Sequence, residues 1–318
     1  MTPNTETRNT SSQPSALPAI RTFVRREYGT GKGLSNSDIG RLMDFLFDHV
    51  DVSEGTRQQY KREVRPFLAW LRRTRSTLDP TLLIRWKRHL QARTSIGPGS
   101  KNKQLTIARV VLRELHRWYP HQIPDLTTGV KSFQVTRVHK RVPLDDGDIR
   151  QIWTYLETQG DSRTKAIVAL FYFQGLRRVE VTRLNVEDFN PDTKTLLVRG
   201  KGRDDHEPVD LHPKTVKLLR AYLRGANLRS GWLFPSRKTG QGLTGNMIWR
   251  IVMRVHQELG LKHNVHAYRK CFTSKLIDSG LNMLEVQAYT RHRDVSQLQI
   301  YYDRLNKRKT LRRYYSAF

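Results

Sequence analysis

The sequence predicts a mainly α-helical protein with a small β-sheet, in which a helical N-terminal domain precedes an α+β domain. Three observations indicate this fold class. Apolar residues recur every three or four positions along four segments within residues 35–120. Residues 120–143 have prolines at both ends and lack sustained helical periodicity. Beyond them, two short β-rich runs flank a glycine-containing turn among further helical segments.

The predicted N-terminal domain, residues 35–120, consists of four amphipathic helices. Residues 1–34 precede it and are predicted to be a flexible segment, because they lack apolar periodicity and are rich in small polar residues. Each helix is expected to begin at a capping or helix-initiating residue. In chain order these residues are Ser37, Ser53, Asp79 and Ser100. Pro66 marks a candidate kink in the second helix.

The second domain is predicted over residues 144–302, after a linker at 121–143. It is expected to open with a helix at 146–158 and an apolar segment at 165–172. A hairpin should pair strands 195–199 and 207–211 around a glycine-bearing tip. Further helices are predicted at 213–224, 244–259, 264–278 and 282–290. A basic tail, residues 303–318, follows the domain.

The charge balance indicates a polyanionic partner. The chain has 57 Lys and Arg against 29 Asp and Glu, a formal net charge of +28, and its pI is about 10.6. This pI exceeds the value of about 9 that is typical of nucleic-acid-binding domains. A solvated basic surface, or a ribosomal or architectural role, would also fit a basic chain. An excess this large favours DNA, with Arg and Lys of the helical domain facing its phosphates.

Several function classes are disfavoured by what the sequence lacks. Cys271 is its only cysteine, which rules out an internal disulfide and a cysteine-cluster metal site. The phosphate-loop spacing G-x-x-x-x-G-K-[ST] is absent, and so is an apolar run long enough for a membrane span. The N-terminus does not resemble a secretory signal. We therefore expect no cofactor, no metal and no membrane partner, and a cytoplasmic protein with access to DNA.

The segment 265–302 carries the chemistry that we consider most informative. His266 and Arg269 are three residues apart, so on a helix they share one face. His292 and Tyr301 are nine apart, which allows a turn and two helical turns to bring them together. Cations can bind the non-bridging oxygens of a phosphodiester, a histidine can move a proton, and a tyrosine oxygen can attack phosphorus.

Two further candidates precede this segment. Arg177 follows an apolar segment within G-L-R-x-x-E, where Glu180 can pair with it, and Lys201 lies in a G-K-G hairpin tip. Each feature has an ordinary structural interpretation when taken alone. Arg177 and Glu180 could form a surface salt bridge, Lys201 could be an exposed turn residue, and the histidines and tyrosines could be packing residues.

Taken together and in order, these residues resemble the tyrosine recombinase family, which includes the phage integrases and the Xer-type resolvases. The resemblance covers residues 144–302 by motif, and residues 35–119 resemble the core-binding domain of that family by pattern. It implies an α+β catalytic domain and a helical domain that close around double-stranded DNA at a recombination site. It also implies a homo-tetramer on two duplexes, while accessory proteins are left open.

The resemblance assigns a role to each candidate. Tyr301 would be the nucleophile that forms a 3′-phosphotyrosyl link, and Lys201 would protonate the departing 5′-oxygen. Arg177 and Arg269 would hold the non-bridging oxygens, and His266 and His292 would assist proton transfer. Tyr302 competes for the role of nucleophile, but the nine-residue offset from His292 favours Tyr301.

Two departures from the family pattern stand out. Thr290-Arg291 replaces the usual leucine-glycine before the second histidine, so this turn lacks its glycine, and Tyr268 replaces a leucine before Arg269. The tail at 303–318 is expected to dock on a neighbouring protomer, with a frayed tail as the alternative. A type IB topoisomerase and a non-cleaving DNA-binding protein are the alternative functions. Integration, excision and resolution are all open as the biological event.

Overall fold

A computed structural model describes residues 50–74, 78–118, 123–135, 144–200 and 206–292, together with residues 44, 46–48, 76, 120, 295, 296, 298, 299, 301, 302 and 314–316. The chain divides into two units, Met1–Thr136 and Arg137–Phe318. This division falls inside the segment that the sequence predicts as a linker, and the domain boundaries stay a prediction. The predicted cap Ser37, the segment 1–34 and most of the tail lie outside the described residues.

Three helices are complete in the described part of the first unit. They are α1 (Glu54–Thr74), α2 (Leu82–Ala92) and α3 (Pro98–Trp118). The helix predicted from Asp79 begins later, because the Asp79 carboxylate accepts the backbone N–H and the hydroxyl of Thr81 and forms a turn instead. The helix predicted from Ser100 begins earlier, at Pro98, since proline is tolerated in the first turn.

Aromatic side chains fill the core of this unit. Trp86 is completely buried, and its ring centroid lies 5.2 Å from those of both Phe67 and Trp70. Burying an aromatic or large aliphatic side chain contributes roughly 1.5–3 kcal/mol. The apolar stripes that predicted the helices therefore also supply the packing that stabilises them. Pro66 lies inside α1, which continues on both sides of it.

The second unit combines helices with a small sheet, which confirms the predicted fold class. Its elements in chain order are α4 (Asp146–Gln159), α5 (Ser162–Phe173), α6 (Arg178–Val181), β1 (Phe189–Asn190), β2 (Thr195–Arg199), β3 (His206–Asp210), α7 (Pro213–Ala226), α8 (Gly245–Glu258), α9 (His266–Asp278) and α10 (Met283–Thr290). The sheet is antiparallel with strand order β1-β2-β3.

Helix α5 lies at the centre of this unit. Its residues from Ala166 to Phe171 are all buried, as expected of a helix that is apolar all round. Asp161 caps its first turn by accepting the N–H of Thr164 at 2.7 Å. Asp145 caps α4 in the same way, in a reciprocal pair with Asp148. The end of α5 leads directly to Arg177.

The strands that the β-rich runs predict are present, and the first of them alternates between buried and exposed residues. Leu196 and Val198 are buried, Leu197 and Arg199 alternate with them and are exposed, and Leu196 pairs with Val209 across the strands. The second strand begins one residue earlier than predicted, at His206. The hairpin tip, residues 201–205 with Lys201, lies outside the described residues.

Candidate active site

Arg177 is placed by a tight turn after α5. Gly175 has a positive φ of 58°, and a Cβ there would lie 2.3 Å from Cδ1 of Phe272, so only glycine fits. Arg177 then precedes α6, where its backbone N–H donates to Glu180 Oε2 at 2.7 Å. Its side chain donates from Nη1 to Glu180 Oε1, also at 2.7 Å. The pair is therefore not a surface salt bridge, because Glu180 is completely buried.

Glu180 is ionised despite its burial. Burial raises the pKa of Glu180, but the guanidinium groups of Arg291 and Arg177 outweigh it and hold the pKa below the usual value. Arg291 Nη2 lies 3.1 Å from Glu180 Oε2. One buried carboxylate thus serves two arginines.

Arg269 is held by main-chain carbonyls. Its side chain is buried, and it donates from Nη1 to the carbonyl of Gly175 at 2.5 Å and from Nη2 to the carbonyl of Thr290. Burial, followed by repulsion from Arg177, lowers the pKa of Arg269 to about 9. The guanidinium is therefore still protonated at neutral pH, and its plane is fixed by two acceptors from different parts of the chain.

The tautomer of His292 follows from its neighbour. Thr290 Oγ1 lies 2.6 Å from His292 Nδ1, and also 2.6 Å from the carbonyl oxygen of Val286. A carbonyl can only accept, so the single hydroxyl proton of Thr290 goes to Val286, and the hydroxyl accepts from Nδ1–H. In a neutral imidazole the lone pair is then on Nε2.

His292 is neutral at pH 7. Burial is the main cause that lowers its pKa to about 4, and the positive charges of Arg269 and Arg177 lower it further. His266, Arg291 and the two other arginines all act on this ring. His266 is itself exposed and is the first residue of α9, three positions before the buried Arg269.

Tyr301 and Tyr302 differ in what their hydroxyls face. Both rings pack against a small apolar cluster, and burial raises the pKa of each phenol. Arg269 acts in the opposite direction on Tyr301 and lowers its pKa, whereas Glu285 raises the pKa of Tyr302 further. The hydroxyl of Tyr302 donates to the carbonyl of Leu281 at 2.7 Å. Tyr301 is thus the tyrosine whose pKa a site arginine lowers.

The structure brings five of the six predicted site residues into one electrostatic cluster: Arg177, His266, Arg269, His292 and Tyr301. The sixth, Lys201, lies outside the described residues. Sequence reasoning did not assign roles to Thr290 and Arg291, although their departure from the family pattern was a usable signal. No group of three or more His, Cys, Asp or Glu suited to a metal ion occurs among the residues that the structure describes.

The two departures from the family pattern have different structural outcomes. Arg291 ends α10 in the left-handed conformation, with φ 54° and ψ 44°, so the turn keeps a shape that glycine favours. This conformation costs a non-glycine residue roughly 1–2 kcal/mol. Tyr268 is a core residue, and its buried hydroxyl lies 2.9 Å from Nε2 of His256.

Comparisons with known proteins show which family the chain belongs to. A profile of the phage integrase family matches residues 143–308, just over half of the 318 residues. Tyrosine recombinase XerD of Listeria innocua serovar 6a is 23% identical over 281 residues, which cover 84% of this chain and 93% of the relative. XerD of Lacticaseibacillus casei is 25% identical over 288 residues, with 82% and 93% covered.

Solved structures show the same fold. The XerH site-specific recombinase in a post-cleavage complex with a palindromic difH substrate superimposes with a TM-score of 0.64 at 17% identity, over 93% of this chain and 95% of that one. The Tn1549 transposon integrase in complex with a circular intermediate DNA gives 0.62 at 15% identity, over 83% and 94%. With the family profile, these likenesses lead to one conclusion: the chain belongs to the phage integrase family of tyrosine recombinases.

Proposed function

We propose that this chain cuts and rejoins double-stranded DNA at a specific site through a 3′-phosphotyrosyl intermediate on Tyr301. Tyrosine recombinases are enzymes that cleave and rejoin DNA, and family membership favours site-specific recombination over the topoisomerase and non-cleaving alternatives. The observation that carries the assignment of the nucleophile is that the charge of Arg269 lowers the pKa of Tyr301, while the hydroxyl of Tyr302 donates to a carbonyl.

The arginines supply the electrostatic part of the mechanism. Arg177 and Arg269 carry two positive charges on groups that are fixed by hydrogen bonds before substrate arrives. In the pentavalent transition state, negative charge accumulates on the non-bridging oxygens. Each preorganised donor of this kind increases a rate constant by a factor of roughly 10²–10³. Their net positive field also attracts the phosphodiester of DNA.

The bond changes balance without a cofactor. The Tyr301 oxygen forms a bond to phosphorus while the bond from phosphorus to the 5′-oxygen breaks. The phenol proton passes to neutral His292, whose lone pair is on Nε2, and Lys201 gives a proton to the 5′-oxygen. His266 helps to orient the phosphate. Attack by a 5′-hydroxyl reverses these steps, and the phosphotyrosyl link conserves the bond energy needed for rejoining.

DNA binding should itself tune His292. The cations around the ring lower its pKa, and a phosphodiester between Arg177 and Arg269 would offset part of their field. The pKa of His292 therefore rises when DNA is bound, which makes the ring a better proton acceptor when it is needed. A phenol with a raised pKa needs such a neighbour, because a free phenol ionises only near pH 10.

The proposed partners are a double-stranded recombination site and three further copies of the chain, with the tail at 303–318 docking on a neighbouring protomer in the cytoplasm. The net charge of +28 and the DNA complexes of XerH and the Tn1549 integrase support the DNA partner. The event served is integration, excision or resolution of a DNA element, with or without accessory proteins.

A nicked suicide duplex tests this function. The duplex carries a sequence that the protein itself selects from a random library, and the nick lets the 5′-hydroxyl fragment diffuse away after cleavage. We expect a covalent protein–DNA adduct, and exchange of strands between two differently labelled intact duplexes. Supercoil relaxation without exchange would favour the topoisomerase alternative. Specific binding with no adduct would favour the non-cleaving alternative.

A further inference from the structure

Arg291 occupies an unusual position for a long charged side chain. It is one of three non-glycine residues with positive φ in the described part of the chain, with Lys194 and Asn227. Lys194 is exposed, whereas the side chain of Arg291 is only 7% exposed. Its Nε is buried and has no hydrogen-bond partner among the described residues. A strained backbone and an unsatisfied donor at one residue indicate a role other than stability.

The contacts of Arg291 form a closed ring with Arg177. Arg177 donates from Nη1 to Glu180 Oε1 at 2.7 Å, and Arg291 donates from Nη2 to Glu180 Oε2 at 3.1 Å. Arg177 also donates from Nη2 to the carbonyl of Arg291 at 2.8 Å. The left-handed conformation of Arg291 fixes the direction of that carbonyl. Main chain and side chain of residue 291 therefore both act on Arg177.

Charge balance shows what the side chain adds. Without it, the single negative charge of Glu180 would be paired with Arg177 alone, and the carboxylate would have one fewer donor to fix its position. With Arg291 present, the carboxylate lies between two guanidinium groups and is held from both sides. The positive charge of Arg177 is then less fully neutralised where a phosphate would bind.

We propose that Arg291 is a positioning residue for Arg177, which acts by sharing Glu180 with it. This rests on the proposed function, in which Arg177 holds a non-bridging oxygen of the scissile phosphate. Because its side chain is buried against Glu180 and donates from Nη1 to the carbonyl of Tyr289 at 3.2 Å, Arg291 does not itself bind DNA.

The test compares three variants on the nicked duplex and measures DNA affinity and the rate constant of adduct formation separately. Arg291→Gly removes the side chain but keeps the left-handed turn and its carbonyl. Arg291→Lys keeps the charge without the forked donors. Lys194→Gly is the matched control, since it removes an exposed cation from the same backbone conformation.

We expect Arg291→Gly to slow adduct formation at least tenfold, to change DNA affinity less than threefold, and to leave the salt dependence of binding unchanged. Arg291→Lys should recover part of the rate, and Lys194→Gly should match the wild type. In an Arg177→Lys background, Arg291→Gly should slow adduct formation by less than a further threefold, because both substitutions act through the guanidinium of Arg177. Thermal melting measures whether each variant folds. If Arg291→Gly does not fold, the result for Arg291→Lys decides, because cleavage by Arg291→Lys at the wild-type rate would overturn the proposal.

Other outcomes also overturn the proposal. Cleavage by Arg291→Gly at the wild-type rate would show that Arg291 does not position Arg177. A shallower salt dependence of DNA binding by this variant would indicate that Arg291 contacts a phosphate directly. Multiplicative losses with Arg177→Lys would show that the two residues act independently. The proposed function fails separately, because then the wild type and Lys194→Gly would form no adduct at all.

Discussion

Thr290 and His292 are joined by a partly buried hydrogen bond of 2.6 Å that fixes the imidazole as its Nδ1–H tautomer. Thr290 is completely buried, and the backbone of the same residue accepts a hydrogen bond from Arg269. One threonine thus orients both the proposed proton acceptor, His292, and the proposed phosphate ligand, Arg269, through different atoms.

Thr290→Val should separate these two contributions, because it keeps the shape and the carbonyl but removes the hydroxyl. It leaves His292 Nδ1–H unsatisfied, so we expect a loss of about 1–3 kcal/mol in the free energy of unfolding and about tenfold slower adduct formation. Thr290→Ser retains the hydroxyl and is the control. Equal cleavage rates for the valine variant and the wild type would exclude an orienting role.

Tyr301→Phe should abolish the covalent adduct and leave specific DNA binding nearly intact. Tyr302→Phe loses only a hydrogen bond to the carbonyl of Leu281, so its adduct should form at close to the wild-type rate. Denaturing gel electrophoresis of both variants with an end-labelled suicide duplex measures this. The assignment is wrong if only the Tyr302 variant fails to form the adduct.

Lys201→Ala should slow cleavage more than it weakens binding, because its proposed role is to protonate the leaving 5′-oxygen. A substrate with sulfur in place of that oxygen tests the role directly. A thiolate, whose conjugate acid has a pKa of about 8.5, leaves without protonation, so this substrate should restore cleavage by the variant. Equal losses of binding and cleavage, with no restoration by sulfur, would assign Lys201 to phosphate binding alone.

The stability of the chain should fall as the pH falls from about 6.5 towards 4. The pKa of His292 is about 4 in the folded protein and near 6.5 in an unfolded chain, so the unfolded state binds the proton more tightly in this range. The shift corresponds to a loss of up to about 3 kcal/mol at the acid end. Burial also lowers the pKa of His256, so this histidine contributes to the same loss of stability at low pH.

Urea unfolding at pH 7 and pH 5 measures this loss. His292→Gln should make the pH dependence of the unfolding free energy shallower than that of the wild type. An equally steep dependence in the variant and the wild type would mean that His292 is not held neutral by the folded structure.

Local signals in the sequence predicted most elements of the second unit. The start of a helix at residue 146 and the β-rich run over residues 195–199 each depend on a few neighbouring residues, so the predicted bounds of helix α4 and strand β2 lie within one residue of those observed. The four-residue helix α6 and the two-residue strand β1 were not predicted, because neither is long enough to show a period.

The candidate site likewise contains contacts between neighbouring residues, which the sequence could predict, and contacts between distant residues, which it could not. Arg177 and Glu180, like His266 and Arg269, are three residues apart, so sequence motifs could predict that each pair lies together. The role of Arg291 depends on Glu180, which is 111 residues away in the sequence, and on a backbone conformation that its own residue type disfavours. Only the folded chain shows such a contact.

The anchoring of Arg269 has a consequence for mutational studies. Two of its acceptors are peptide oxygens, of Gly175 and Thr290, and every amino acid provides that atom. Side-chain scanning at position 290 would therefore leave its anchor in place, and at position 175 any side chain would clash with Phe272, so a loss there could not be assigned to the carbonyl. An ester bond in place of the amide that follows either residue would make that residue's carbonyl oxygen a poorer acceptor. This replacement would loosen the guanidinium of Arg269 and leave every side chain unaltered.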